Sequence, residues 1–142
     1  MLFLWLCQLR RAPYSYDWVD NFGRRSPHDA DPALCTPSPG DRFMTIFTLV
    51  EVEPGRSLTL RIRPGRPTRL FGEVVLTYTI EERGGVRHLV VAIWFGQAGR
   101  LAPRLRRLLL VWGDVAMMDH QLKTLCRLAE ASMPTASTKE SE

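Results

Sequence analysis

Two periods of apolar residues divide this chain, and they predict two kinds of element. Between residues 43 and 97 apolar and polar side chains alternate, as they do in strands with one buried face. Turn residues such as Pro, Gly and Gly-Gly separate the alternating stretches. The predicted strands are 43–53, 57–63, 71–83 and 86–97. The last of them is apolar on both faces, which predicts a central or covered strand.

A helical period replaces the alternation after residue 103. Pro103 suits a first helical turn, and Pro134 follows the end of the pattern. Asp119 interrupts an otherwise apolar stripe. The stripe consists of Leu105, Leu108, Trp112, Val115, Leu122, Cys126 and Ala129. The spacing predicts a long helix over 103–131, which needs a long sheet as its packing partner.

The chain order predicts an α+β domain over residues 1–131. Residues 2–9 and 16–22 predict two short helices, and the loop 24–41 shows no period. An antiparallel meander and one long helix then follow, with one face of the sheet against the helix. Residues 132–142 are small and polar, which is typical of a disordered tail.

The composition narrows the class of protein. The 142 residues, 45% hydrophobic and 24% charged, are typical of one globular domain. A net charge of +4 does not indicate a nucleic-acid partner, and no apolar run is long enough for a membrane span. Three scattered cysteines predict reduced thiols in a cytoplasmic protein rather than a zinc site. No cofactor is expected, because the chain has neither a phosphate-binding glycine loop nor metal-ligand spacing.

One motif connects the chain with a known family. Residues 12–18 read APYSYDW, and residues 6–9, 23–27, 47–56 and 112–114 fit the same pattern. Together they resemble a group of bacterial proteins in the SRPBCC superfamily, which includes START-type lipid carriers and polyketide cyclases. The resemblance implies a helix-grip fold, in which a curved antiparallel sheet wraps a long C-terminal helix around an apolar cavity. Members begin with a strand before the first helix, so the resemblance implies that this domain is N-terminally incomplete.

The resemblance directs attention to residues that would line such a cavity. The candidate ligand-binding residues are Tyr14, Tyr16, Trp18, Leu60, Leu76, Tyr78, Trp112, Val115 and Ala116. Each has a plainer interpretation as core packing. Asp119 either faces the cavity or lies at the edge of the buried stripe, where an ionised carboxylate costs less.

Two functions remain open on the sequence alone. The first is binding or carriage of a small hydrophobic molecule, lipid-like or polyketide-like. The alternative is a cyclase- or dehydratase-like enzyme that uses Asp17, Tyr78 or Asp119 as an acid or base. We favour the binder, because it needs only an apolar wall, whereas an enzyme needs a titratable group with a perturbed pKa in the cavity.

Overall fold

The computed structural model describes residues 1–11, 27–96 and 114–132, and it shows an α+β protein. The helices are α1 (Leu2–Cys7), α2 (Arg66–Phe71) and α3 (Asp114–Ala131). The strands are β1 (Arg42–Phe43), β2 (Phe47–Glu53), β3 (Ser57–Ile62), β4 (Val74–Arg83) and β5 (Val86–Phe95). Two short 3₁₀ helices, Gln8–Arg10 and Pro32–Cys35, complete the described elements.

The five strands form one antiparallel sheet in chain order, as the meander predicts, but the predicted strand 43–53 is divided into β1 and β2 by a turn at Met44 and Thr45. Leu58 lies opposite Tyr78 on β4, and Tyr78 lies opposite Val91 on β5, so these side chains share one face of the sheet. We call this face the inner face. Gly84 and Gly85 connect β4 to β5 with φ angles of 60° and 77°, the left-handed conformation that a tight hairpin requires.

The segment between β3 and β4 differs from the prediction. The sequence predicts a turn at 64–67 and a strand from residue 71, whereas the structure has α2 there and β4 begins at Val74. Pro67 lies in the first turn of α2, where its missing N–H costs no helical hydrogen bond. The hydroxyl of Thr68 donates to the carbonyl of Arg63 at 2.7 Å, which closes the turn into the helix.

Strand β5 also differs from the prediction. Within the described sheet it pairs with β4 alone and is therefore an edge strand. Val86 and Trp94 are 58% and 59% exposed. In the described structure β5 is therefore neither central nor covered on its outer face, contrary to the prediction from its apolar composition.

The core lies between the inner face and the helices α1 and α3. Its largest fully buried side chains include Trp5, Leu6, Leu60, Tyr78 and Leu125. Burying such side chains contributes roughly 1.5–3 kcal/mol each before conformational entropy is counted. The N-terminal helix predicted over 2–9 is confirmed as α1 and the 3₁₀ turn that continues it.

The face that α3 buries overlaps the predicted stripe only in part. Among its described side chains, Gln121, Leu125 and Ala129 are buried, and Ala129 belongs to the stripe. Leu122 and Cys126, also of the stripe, are partly buried against the core. Asp119 is exposed, and its Oδ2 accepts from Lys123 Nζ at 2.7 Å. Of the two alternatives for Asp119, the structure therefore shows the one outside the apolar interior.

Three predictions fall on residues that the structure does not describe. They are the second short helix at 16–22, the first part of the long helix at 103–113, and the tail beyond Ser132. Ser132 itself follows α3, where its hydroxyl accepts from Trp5 Nε1 at 3.2 Å and donates to the carbonyl of Leu128 at 2.7 Å. None of the helices in the described part of the chain is long and apolar enough to cross a membrane.

Candidate functional site

The nine candidate ligand-binding residues fall into three groups. Tyr14, Tyr16, Trp18 and Trp112 lie outside the described residues. Val115 and Ala116 belong to the first turn of α3, where Ala116 is exposed.

The third group is Leu60, Leu76 and Tyr78, which the inner face brings together. Leu60 and Leu76 lie opposite each other on β3 and β4. Each of the three side chains is at most 4% exposed. The structure therefore places this part of the predicted wall in the interior, in contact with the rest of the core.

A buried polar pair joins the inner face to α3. The hydroxyl of Tyr78 donates to Gln121 Oε1 at 2.7 Å, and it lies 3.7 Å from the sulfur of Met118. Gln121 is only 3% exposed, and its Nε2 donates to the sulfur of Met44 at 3.3 Å. A buried amide needs hydrogen-bond partners to offset its lost hydration, and these contacts supply them. The pair fixes how α3 lies on the sheet.

Met44 is held in place by an unusual turn between β1 and β2. Met44 and Thr45 adopt φ angles of 42° and 65°, in the left-handed region that residues other than glycine rarely occupy. Such a conformation costs on the order of 1–3 kcal/mol per residue and persists only when its surroundings stabilise it. Here the N–H of Met44 donates to the carbonyl of Leu9 at 2.9 Å, and its sulfur accepts from Gln121. The turn thereby ties the sheet to both the N-terminal segment and α3.

The inner face continues from Tyr78 out of the core toward solvent. Tyr78, Ile80 and Glu82 alternate along the same side of β4, about 7 Å apart in succession. Tyr78 is buried, Ile80 is half-buried and Glu82 is exposed. This end of β4 opens into a cleft of about 380 Å³. The cleft is lined by Met1, Phe3, Gly55, Ile80, Glu82 and Arg87.

The lining of the cleft is apolar on one side and charged on the other. Phe3 and Ile80 belong to the partly buried margin of the core. Arg87 lies opposite Glu82 across the hairpin, with Arg87 Nε 3.9 Å from Glu82 Oε2. Both charged side chains are about two-thirds exposed, at 64% and 66%, so their mutual attraction is weak. Such a surface suits a molecule with an apolar body and one polar end.

Sequence reasoning did not single out this cleft. The Gly84-Gly85 hairpin signal already implies that Glu82 and Arg87 lie opposite each other, so the charged side of the cleft could have been predicted from the sequence. The position of Phe3 could not, because it depends on how α1 packs across the sheet. No local pattern reports that packing.

The other chemically active side chains are dispersed in the described structure. Of the three acid–base candidates, Asp119 is exposed, Tyr78 is hydrogen-bonded to Gln121, and Asp17 lies outside the described residues. Residues 1–11, 27–96 and 114–132 contain no cluster of three or more His, Cys, Asp or Glu side chains that could hold a metal ion. No known family, curated protein or solved structure matches this chain.

Proposed function

We propose that this protein binds a small amphipathic molecule, lipid-like or polyketide-like, through the cleft beside Phe3 and Ile80. The main support for the proposal is the inner face of the sheet. Its row of apolar side chains extends from the core to Ile80 and ends at the charged pair Glu82 and Arg87. The cleft volume of about 380 Å³ is within the range of roughly 300–1,000 Å³ common for ligand pockets. The apolar body of the ligand would cover Phe3 and Ile80, and its polar end would reach Arg87.

The same proposal includes a helix-grip fold and membership of the SRPBCC superfamily. Its support is an antiparallel sheet whose inner face packs against a C-terminal helix, together with the APYSYDW motif at 12–18.

Neither Asp119 nor Tyr78, the two described acid–base candidates of the enzymatic alternative, lines the cleft; the carboxylate that does, Glu82, is about two-thirds exposed and faces Arg87. An acid or base must reach the substrate in the site. Asp119 instead projects into solvent beside Lys123, and the hydroxyl of Tyr78 is engaged with Gln121 in the core. Binding without chemistry is therefore the function that the described geometry supports best.

The test uses two fluorescent probes that differ in charge. The first is 1-anilinonaphthalene-8-sulfonate, which has an apolar ring system and an anionic group. The second is N-phenyl-1-naphthylamine, which has the same rings without the sulfonate. We expect saturable binding of both at one site. Ile80→Asp should weaken both by about tenfold or more, because it places a charge in the apolar wall.

Charge recognition is tested separately. Arg87→Gln should weaken binding of the sulfonate probe about three- to tenfold and leave the neutral probe unchanged. Arg83→Gln is the matched control, since Arg83 belongs to the same hairpin but pairs with Glu81 and does not line the cleft. Thr79→Asp, on the outer face of β4, is the control for Ile80→Asp. Non-saturable binding, or equal effects of the test and control variants, would refute the proposal.

A further inference from the structure

Two cysteines from separate parts of the chain meet beside α1. Cys7 is the last residue of α1 and is fully buried. Cys35 is the last residue of the 3₁₀ helix Pro32–Cys35 and is half-buried. Both are free thiols, and Cys35 lies close enough to Cys7 for its charge to act on the pKa of the Cys7 thiol. The function proposed above makes no use of this contact.

Hydrogen bonds between neighbouring residues hold the two cysteine-bearing segments together. Gln8 Nε2 donates to the carbonyl of Asp31 at 3.0 Å, and the N–H of Asp31 donates to Gln8 Oε1 at 3.0 Å. Asp31 Oδ1 in turn accepts from the N–H of Ala33 at 2.9 Å and caps the 3₁₀ helix that carries Cys35. Gln8 is fully buried, so water does not compete for these bonds. Gln8 and Asp31 therefore clamp the two cysteine-bearing segments in a fixed relation.

We propose that Cys7 and Cys35 are a dithiol that a hydroperoxide converts to a disulfide, locking α1 onto the segment Pro32–Cys35. The half-buried sulfur of Cys35 first attacks the peroxide. An S–O bond forms, the O–O bond breaks, and the leaving oxygen takes a proton and departs as water or an alcohol. The sulfur of Cys7 then attacks the sulfur of Cys35, so that the S–S bond forms, the S–O bond breaks and a second hydroxide leaves with the Cys7 proton as water. Two thiols lose two electrons, and the peroxide gains them.

The order of the two steps follows from the surroundings of each thiol. Burial, followed by the charge and hydrogen bond of Cys35, raises the pKa of Cys7 to about 12, while the charge of Arg10 opposes the shift. Cys7 therefore stays protonated at neutral pH and is not the first nucleophile. Cys35, the more accessible of the two, reacts with the oxidant, and Cys7 resolves the product.

The disulfide would stabilise the fold by closing the chain between residues 7 and 35. Closing a loop of about thirty residues reduces the entropy of the unfolded chain, and for a domain of this size the expected gain in Tm is on the order of 10 °C. The lock would act on α1, which carries Trp5 and Leu6 into the core and Phe3 to the cleft. Oxidation would therefore stiffen one wall of the cleft.

The experiment uses the full chain with Cys126→Ala, which removes the third thiol from α3. Hydrogen peroxide is titrated in, and intact mass, peptide mapping and Tm are measured with and without dithiothreitol. We expect a mass loss of about 2 Da, a peptide linking Cys7 to Cys35, and a Tm increase reversed by the reductant. Cys35→Ser in the same background should fold normally and show neither the mass loss nor the Tm increase.

Two outcomes would overturn the inference. The first is accumulation of oxygen adducts of about 16 or 32 Da on Cys35 without a disulfide, which would show that the thiols do not react with each other. The second is a Cys7–Cys35 disulfide that leaves Tm unchanged, which would show that the bond locks nothing. Neither outcome bears on probe binding in the reduced protein, so this inference can fail independently of the proposed function.

Discussion

The Tyr78–Gln121 hydrogen bond allows a sharp test of how α3 is attached to the sheet. It joins residues 43 positions apart, it measures 2.7 Å, and both side chains are at most 3% exposed. Tyr78→Phe removes the hydroxyl and keeps the ring. Gln121→Met removes the amide and keeps a side chain of similar length in the same apolar surroundings.

The expected magnitude follows from burial. A net hydrogen bond contributes about 0.5–1.5 kcal/mol, and losing one partner of a buried group adds a desolvation cost of about 1–3 kcal/mol. We therefore expect each single variant to lower the free energy of unfolding by about 1–3 kcal/mol. The double variant should cost less than the sum of the two, because the second change no longer breaks the bond. The coupling energy should be about 1 kcal/mol or more.

The assay is urea denaturation followed by far-UV circular dichroism, with all four members of the cycle measured at one pH. Thr77→Val is the matched control, since it removes a hydroxyl from the neighbouring position of β4 on the outer face. The Thr77 hydroxyl lies 3.4 Å from that of Thr59 and is only half-buried, so the change should stay within about 0.5 kcal/mol. Additive single effects for Tyr78 and Gln121 would refute the reasoning, because they would show that the two residues stabilise the fold independently.

Three further predictions concern the core, the thiols and the surface. Leu60→Ala should lower the free energy of unfolding by about 2–5 kcal/mol in urea titrations, because Leu60 is fully buried; a loss below 1 kcal/mol would contradict core packing there. The pKa of Cys7 is raised from 9.0 to about 12 in the folded state, so its contribution to stability is intact below pH 9 and falls by about 1.4 kcal/mol per pH unit above it. Cys7→Ala should flatten that slope in urea titrations between about pH 8 and pH 11, and an unchanged slope would contradict the shift. Asp119→Asn should change Tm by less than about 2 °C in a thermal melt, because the Asp119–Lys123 pair is exposed; a larger change would show that the pair is structural.

The strands were predictable because their evidence is local. Alternation fixes which residues share a face, and the Gly84-Gly85 turn fixes the register of β4 against β5. The inner face at Leu60, Leu76 and Tyr78 followed from these two rules alone. Helix α2 could not be predicted in this way, because the turn residues at 64–67 also occur in the first turn of a helix.

The buried face of α3 was predicted only in part, because periodicity counts apolar residue types. The predicted stripe includes the exposed Asp119 and omits Gln121 and Leu125, which are buried. An amide becomes a good core residue only when partners are supplied from elsewhere, and here Tyr78 comes from β4 and Met44 from a left-handed turn. A pattern confined to the helix contains neither partner.

Strand β5 shows that apolar composition can also overestimate burial. Its outer-face residues Val90 and Trp94 are apolar yet 38% and 59% exposed, opposite Thr79 and Val75 of β4. Apolar composition states only that burial would be favourable; whether burial occurs depends on a second layer that the strand itself cannot encode. On the inner face α1 and α3 form that second layer. It covers Ile80 in part and leaves Glu82 exposed. The cleft lies at that boundary, so its position depends on where α1 crosses the sheet rather than on any motif. This is why the variants that test it must be chosen by face and by distance along β4, with Ile80 and Thr79 as adjacent residues on opposite sides.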